Sequence, residues 1–251
     1  MRELNLGQLI LVDQVESSLY DVQLELSDHW EGVDVRVLVA DIANRSRMES
    51  IFGQYMPQLV FHAAAYKDIS MLDEYPDEAV RTNVAGTKNV VDLSVKYRAA
   101  KCMMISTDCA SVPLHVMGYS KRLAEMYVQG MSCVATSENS CTKLMVARFG
   151  NVYPHDPRSL MTMPEACQLL LTIGNWGENG GIYIFEEAQA EDLLPTNNEK
   201  ISQLSVRFTD GGDVCRLIDV LTENSCVQNL ENIIDEMKKI ISKTAVSKIM
   251  V

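Results

Sequence analysis

The chain has 251 residues, a hydrophobic fraction of 47%, a formal net charge of -12 and a sequence pI of about 4.8. That length and apolar content support one large domain or two small ones with a real core. The acidic balance excludes a surface built for nucleic-acid phosphates or for anionic lipid, both of which need clustered Lys and Arg.

The 7 cysteines are irregularly spaced and include no CxxC pair. Neither a disulfide framework nor a zinc site is expected; reduced thiols in a cytoplasmic setting fit this pattern. No signal peptide is expected, and no apolar run reaches the roughly 20 residues of a membrane span.

In chain order, Gln8 to Val12 (QLILV) is a continuous apolar run and reads as a buried parallel strand. Ser17 to Leu26 has helical apolar spacing. Val33 to Val39 is a second strand, and Arg45 to Tyr55 is a helix stopped by Pro57. Leu59 to His62 is a third strand running into the turn Ala63-Ala64-Ala65. Glu78 to Tyr97 reads as one long helix with Val80, Val84, Thr87, Val91 and Val95 in a stripe. Cys102 to Ile105 and Lys143 to Ala147 are strands flanking a helix from Val116 to Met131.

Beyond Asn151 the pattern changes. Pro154, Pro157 and Pro164 fall close together before a helix ending near Ile173. A short strand, Ile182 to Phe185, and a polar stretch, Glu186 to Asn198, follow. The last elements read as a strand (Ile201 to Phe208) and two helices (Asp213 to Thr222 and Val227 to Ser242). Strand–helix alternation predicts an α/β fold with a doubly wound parallel sheet, whose ligands bind at the C-terminal strand ends. Asp13, Asp41, the alanine turn and Ser106 to Asp108 all fall at such ends. The expected division is residues 1–151 and a smaller α+β part at 152–251.

The stretch ISTDCASVPLHVMGYSK, from Ile105 to Lys121, concentrates the candidate chemistry: a hydroxyl and a carboxylate end a strand, and a lysine sits just inside the next helix. Each also has a plain structural reading. Thr107 and Asp108 suit a turn or helix cap, Lys121 a solvated helix face, and His62 a packed histidine. The other histidines have no metal-ligand spacing.

Four segments carry a family resemblance: HAAAYKDISMLDEYPDEAVRTNVAGTKNVV, STDCASVPLHVMGYSKRLAEMYVQ, ARFGNVY and LLPTNNEKI. They resemble the nucleotide-sugar 4,6-dehydratases of bacterial polysaccharide biosynthesis, extended short-chain dehydrogenase/reductases acting on UDP-N-acetylglucosamine-type sugars. The closest likeness is to the CapD-like, membrane-anchored branch, whose catalytic domain faces the cytoplasm.

The resemblance implies a tightly held NAD or NADP, a UDP-sugar substrate and possible homo-oligomerisation through the helices Glu78 to Tyr97 and Val116 to Met131. It matches Asp13, Asp41, Ile42, Ala63, Ala64, Lys67 and Asn83 to the cofactor site. Thr107 and Asp108 match the hydroxyl and general acid, Lys121 the ribose-binding lysine, and Asn151 a residue beside the sugar nucleotide.

The chain also departs from the family. Cys109 stands where the resemblance implies the lysine base, and Met117 where most of the family has tyrosine. Tyr119 is only two positions from Met117, so a helix points it elsewhere. No glycine-rich pyrophosphate turn occurs, and the first strand of a dinucleotide fold has no counterpart. That absence is expected either to leave a gap or to make Gln8–Val12 pair directly with Leu59–His62, and the direct pairing is the reading taken. Two readings follow: a nucleotide-sugar dehydratase of impaired activity, or a catalytically inactive relic or partner-binding domain on the same fold.

Overall fold

The computed structural model describes residues 6–29, 33–138, 140–150, 161–185, 193–196, 201–204, 211–225 and 229–245. The first half alternates as expected: β1 (Gln8–Asp13), α1 (Glu16–His29), β2 (Asp34–Val39), α2 (Arg45–Tyr55) and β3 (Leu59–His62). The segment after β3 contains α3 (Ile69–Glu74), α4 (Pro76–Ala79) and α5 (Thr87–Lys96), the last two joined by a π-helical stretch, Val80–Gly86. Then come β4 (Lys101–Thr107), a 3-10 turn (Asp108–Ala110), α6 (Val116–Ser137), β5 (Lys143–Phe149) and α7 (Met163–Trp176). The remainder is β6 (Ile182–Phe185), β7 (Leu193–Pro195), β8 (Ile201–Leu204), α8 (Gly211–Asn224) and α9 (Leu230–Ala245).

Local chemistry sets several boundaries. Asn44 caps α2 by accepting the Arg47 N–H at 3.1 Å. Met56, at φ 45°, ends that helix before Pro57 by donating its N–H to Phe52 O. Thr162 and Glu165 form a capping box on α7, with Pro164 in its first turn.

The strands form two sheets. β1 and β2 pair in parallel from Gln8↔Asp34 to Asp13↔Val39. The larger sheet has the order β3-β4-β5-β6-β8-β7, parallel through β6 and antiparallel beyond it. It crosses residue 151, so β6, β7 and β8 extend the same sheet. Alternate residues of β4 serve two cores. Cys102 and Met104 join the cluster under α5, α6, α8 and α9. Met103 joins Met145, Ala147, Phe149, Leu169 and Ile173 under α7. On the outer side of α6, a Cβ at Gly130 would lie 2.9 Å from Gly211 O, so α6 and α8 touch backbone to backbone.

The expected β1–β3 pairing does not form. β1 has only β2 as ladder partner and β3 only β4, among the described residues. The spacing is held from one face. Met48, Ile51 and Phe52 of α2 share a core with Val84, Val90 and Val91, which fixes the position of the small sheet relative to α5. The helix expected over Glu78–Tyr97 is interrupted by the π stretch, α3 was not anticipated, and α6 runs six residues past Met131. No helix of the described residues is long and apolar enough to cross a membrane.

Candidate functional site

β4 delivers Thr107 and Asp108 to the C-terminal edge of the sheet, where the chain turns at once into the 3-10 segment. Thr107 donates its hydroxyl to Asp108 Oδ1 at 2.8 Å, and the same oxygen accepts the Cys109 N–H at 2.8 Å. Asp108 is exposed and opens this turn, whose N-cap is Thr107, accepting the Cys109 N–H at 3.4 Å. Cys109 is half-buried; burial and the neighbouring Asp108 charge push its thiol above the usual range, against a lowering bond from Thr107. The turn rests on α6 because Gly118 has no side chain: a Cβ there would lie 2.9 Å from Cys109 O. His115 starts that helix by accepting the Gly118 N–H at 3.3 Å.

One turn further, Lys121 points back across the strand and donates to Ile105 O at 2.7 Å. It is only 8% exposed. Burial lowers its pKa to about 8, against a smaller raising effect from the Glu125 charge. His62 is buried at the end of β3, bonded to Thr87 Oγ1 at 2.8 Å. Burial, then the Lys121 charge, depress it to about 3, so it is neutral at physiological pH.

Asn83 sits in the π stretch and clamps the turn after β3. Its Oδ1 accepts the Tyr66 N–H at 2.7 Å, and its Nδ2 donates to Tyr66 O and Ser120 Oγ, each at 2.9 Å. A π-helical stretch at such a position is a recurrent feature of functional sites. Met117 is 7% exposed and packs in the main core. Tyr119 faces α9, with Lys238 Nζ 5.7 Å from its ring centre, and does not stand in for the missing tyrosine.

Asp13 accepts the Val15 N–H at 2.8 Å and is exposed. Asp41 is engaged within the chain: Oδ1 accepts the Ala43 N–H at 2.8 Å and Oδ2 pairs with Arg81 at 2.8 Å. Burial pushes its carboxyl up, but the bonds from Arg81 and Ala43 outweigh burial and leave it below the usual carboxylate range. Ile42 is buried against Gly86, and its carbonyl accepts from Asn89 at 2.9 Å. Ala63, Ala64 and Lys67 are exposed on the turn after β3. Asn151 lies outside the described residues.

The sequence reading did not single out the pair under this floor. Glu125, 0% exposed, lies one turn after Lys121 and binds Arg148 through two bonds of 2.7 and 2.6 Å. Burial alone would raise the Glu125 carboxyl; the Arg148 bonds and charge hold it below its usual range. Arg148 also donates to Ser111 Oγ at 2.9 Å. β5, α6 and the loop after Asp108 are thus tied at one point. The available signal was a glutamate inside an apolar helical stripe, four residues from a site lysine.

Lys121, Asn83 and the Tyr66 turn bring a buried ammonium and a hydrogen-bonded backbone together at the C-terminal edge of the sheet. Between β1 and β3, the described residues offer no glycine turn and no helix N-terminus to receive a pyrophosphate. Among the described residues there is also no cluster of side chains suited to a metal ion.

The parallel strands, the helices packed on them and the strand-end placement of Thr107 and Asp108 define a Rossmann-like α/β fold. Residues 1–156 match the family model described as "Polysaccharide biosynthesis protein", and the chain belongs to that family. The capsular polysaccharide biosynthesis protein CapD of Staphylococcus aureus is 30% identical over 234 residues. That match covers 80% of this chain and 38% of CapD, so the chain spans well under half of this relative. Pen from Bacillus thuringiensis has the same fold, with a TM-score of 0.62 at 24% identity over 72% of this chain and 61% of Pen. A dTDP-glucose 4,6-dehydratase from Streptomyces venezuelae, solved with NAD and DAU bound, has a TM-score of 0.57 at 15% identity over 73% of this chain and 67% of its own.

Proposed function

We propose that this chain is a nucleotide-sugar 4,6-dehydratase scaffold of surface-polysaccharide synthesis that turns over little or no substrate by itself. The reading is carried by the strand-end group of Thr107, Asp108 and Lys121, held together by the Ile105 carbonyl bond and the 3-10 turn. On this reading, Asp108 and Thr107 face the sugar. Asp108 takes the general-acid position towards the leaving hydroxyl, and Lys121 and Asn83 position the nicotinamide ribose. NAD or NADP supplies the hydride acceptor when bound.

Cys109 limits the chemistry. Elimination of water from a 4-keto sugar needs a base for the proton at C5. A half-buried thiol raised by burial and by Asp108 is protonated at neutral pH and does not serve as that base. The pyrophosphate end adds a second deficit. No step through the cofactor is derived for this chain.

The test is incubation of the purified chain with UDP-N-acetylglucosamine and NAD, or NADP, with mass spectrometry of the sugar nucleotide. The expected result is no loss of water from the substrate. Conversion at rates typical of enzymes, about 1 s⁻¹ or faster, would overturn the reading. The second reading, a partner-binding domain without catalysis, is favoured by one observation: among the described residues β1 and β3 each have a single ladder partner.

A further inference from the structure

β2 is the outer strand of the small sheet. Among the described residues its only ladder partner is β1, so the other edge of Asp34–Val39 presents backbone groups with no strand to meet them. The two faces of the strand differ. Leu38 packs on the main core, and Asp34 and Arg36 share its face. Val35, Val37 and Val39 alternate with them and turn to the side of α1, which packs on β1 and β2 alike.

A groove of about 390 Å³ runs beside this edge. Tyr20 and Gln23 of α1 form one wall, and Val35, Val37 and Val39 the other. Arg36 also lines it from the opposite face, so the groove follows the edge of the strand. Tyr20 and Val39 are 59% and 53% exposed.

Edge strands are commonly guarded by charge. Here the guard is a pair of opposite sign, two residues apart on one face. Arg36 Nε meets Asp34 Oδ1 at 2.9 Å, and the two side chains stay 56% and 43% exposed. In an antiparallel ladder, opposite charges facing each other stabilise and like charges destabilise. A two-fold axis at Val35 sets Asp34 opposite Arg36 of a second copy, and Arg36 opposite its Asp34. An axis at Asp34 or at Arg36 sets like charges against each other instead. The edge therefore complements itself in one register, which is the condition for an isologous contact.

The α1 face agrees with that register. The same axis sets Val33, Val35 and Val37 opposite Val37, Val35 and Val33 of the second copy, and β-branched pairs are favoured across a ladder. With strands about 4.8 Å apart, α1 over β1–β2 and its symmetry mate come to lie about 10 Å axis to axis, an ordinary helix-packing distance. Tyr20 and Gln23 then fall between the two helices and fill the groove from both sides.

We propose that the outer edge of β2 is a docking surface for a second copy of this chain, joined as an antiparallel ladder over residues 33–37 about a two-fold axis at Val35. The two small sheets become one four-stranded sheet, with the α1 helices side by side on one face. This contact does not depend on the dehydratase reading.

The whole chain is followed by sedimentation from micromolar to submillimolar concentration, and by amide hydrogen exchange. The 28.0 kDa species is expected to give way to one of twice that mass, with slower exchange within residues 33–37 as it forms. Arg36→Asp and Asp34→Arg, both at exposed side chains, put like charges across the ladder. Each is expected to weaken association about tenfold or more. An equimolar mixture of the two variants is expected to regain it, because each Asp then faces an Arg of the other variant. Val220→Asp, on exposed α8 surface, leaves association unchanged.

A chain that stays monomeric at every concentration overturns the proposal. So does a dimer that both variants form as well as the wild type, and so does a mixture that associates no better than either variant alone. Protection of residues 33–37 that appears only when an alternating valine–lysine peptide is added to the monomer also overturns it, and makes the edge a peptide site.

Discussion

The β4–β5–α6 half and the β1–β2 half are made from the same kinds of residue and end in opposite conditions. β5 is buried from Leu144 to Phe149, and Leu144, Met145, Val146 and Ala147 are each 0% exposed. β1 has an equally apolar run, yet none of its residues reaches full burial. The difference lies in neighbours. β5 has a strand on each side and helices on both faces, whereas β1 has one strand, α1, and only Val12 against the main core. An apolar sequence makes a strand eligible for the interior; the ladder on its second edge decides whether it arrives there.

Arg148→Ala is the strongest way to break the first half. It leaves the buried Glu125 with only Arg122, at 3.2 Å, in place of its bidentate partner, and costs up to about 3–5 kcal/mol. A denaturant titration reads the loss directly. Arg148→Ala that unfolds at the wild-type midpoint would show that the Glu125 contact does not hold β5 to α6.

Next come matched truncations. Leu144→Ala removes a fully buried side chain and costs about 2–5 kcal/mol, whereas Leu11→Ala on half-buried β1 costs about 1 kcal/mol. Equal losses in the same denaturant series would erase the contrast between the halves.

His62→Gln tests the end of β3 through pH. The folded-state pKa is depressed to about 3 from 6.5, so the unfolded chain binds more protons across that interval. His62 therefore contributes a stability that rises with pH from about 3 to 6.5, at a slope of at most about 1.4 kcal/mol per pH unit. Asp41 and Glu125 also titrate low and add their own acid-side slope, so the quantity to measure is wild type minus variant. Parallel melting-temperature curves for the two proteins between pH 4 and pH 6.5 would contradict the buried, neutral histidine.

The smallest effect belongs to the bridge between the halves. Arg81 and Asp41 are 38% and 28% exposed as side chains, so solvent screening limits their pair to about 0.5–1 kcal/mol. Arg81→Gln should lower the midpoint by that amount and less in high salt. A loss insensitive to salt would point to packing instead of charge.

Much of this was legible from local pattern. The limits of β3 were readable to the residue, since Leu59–His62 is bounded by Pro57 and an alanine turn, and α6 begins at Val116 as its spacing implied. Tyr119 was placed away from the site by helical geometry alone. What was not legible depends on contacts far apart in the chain. Glu125 meets Arg148 across 23 residues, and Asp41 meets Arg81 across 40. Neither distance leaves a periodic trace. The π stretch was hidden because its apolar stripe continues from Val80 through Val84, while the extra residue in the turn is a backbone event. The direct pairing of β1 with β3 failed for a related reason. Strand pattern shows what wants a partner; which strand it pairs with is decided by the ladders of the folded chain.

The backbone contact between Gly130 and Gly211 bears on assembly. Two helices that meet without side chains between them leave no room for a third, and α8 occupies that line on α6 with α9 beside it. A second copy seeking α6 as its dimer seam would first have to evict α8, exposing Val214, Ile218 and Leu221 to water. Along the Gly130 line of α6 the place of a neighbouring helix is thus taken by α8 of the same chain.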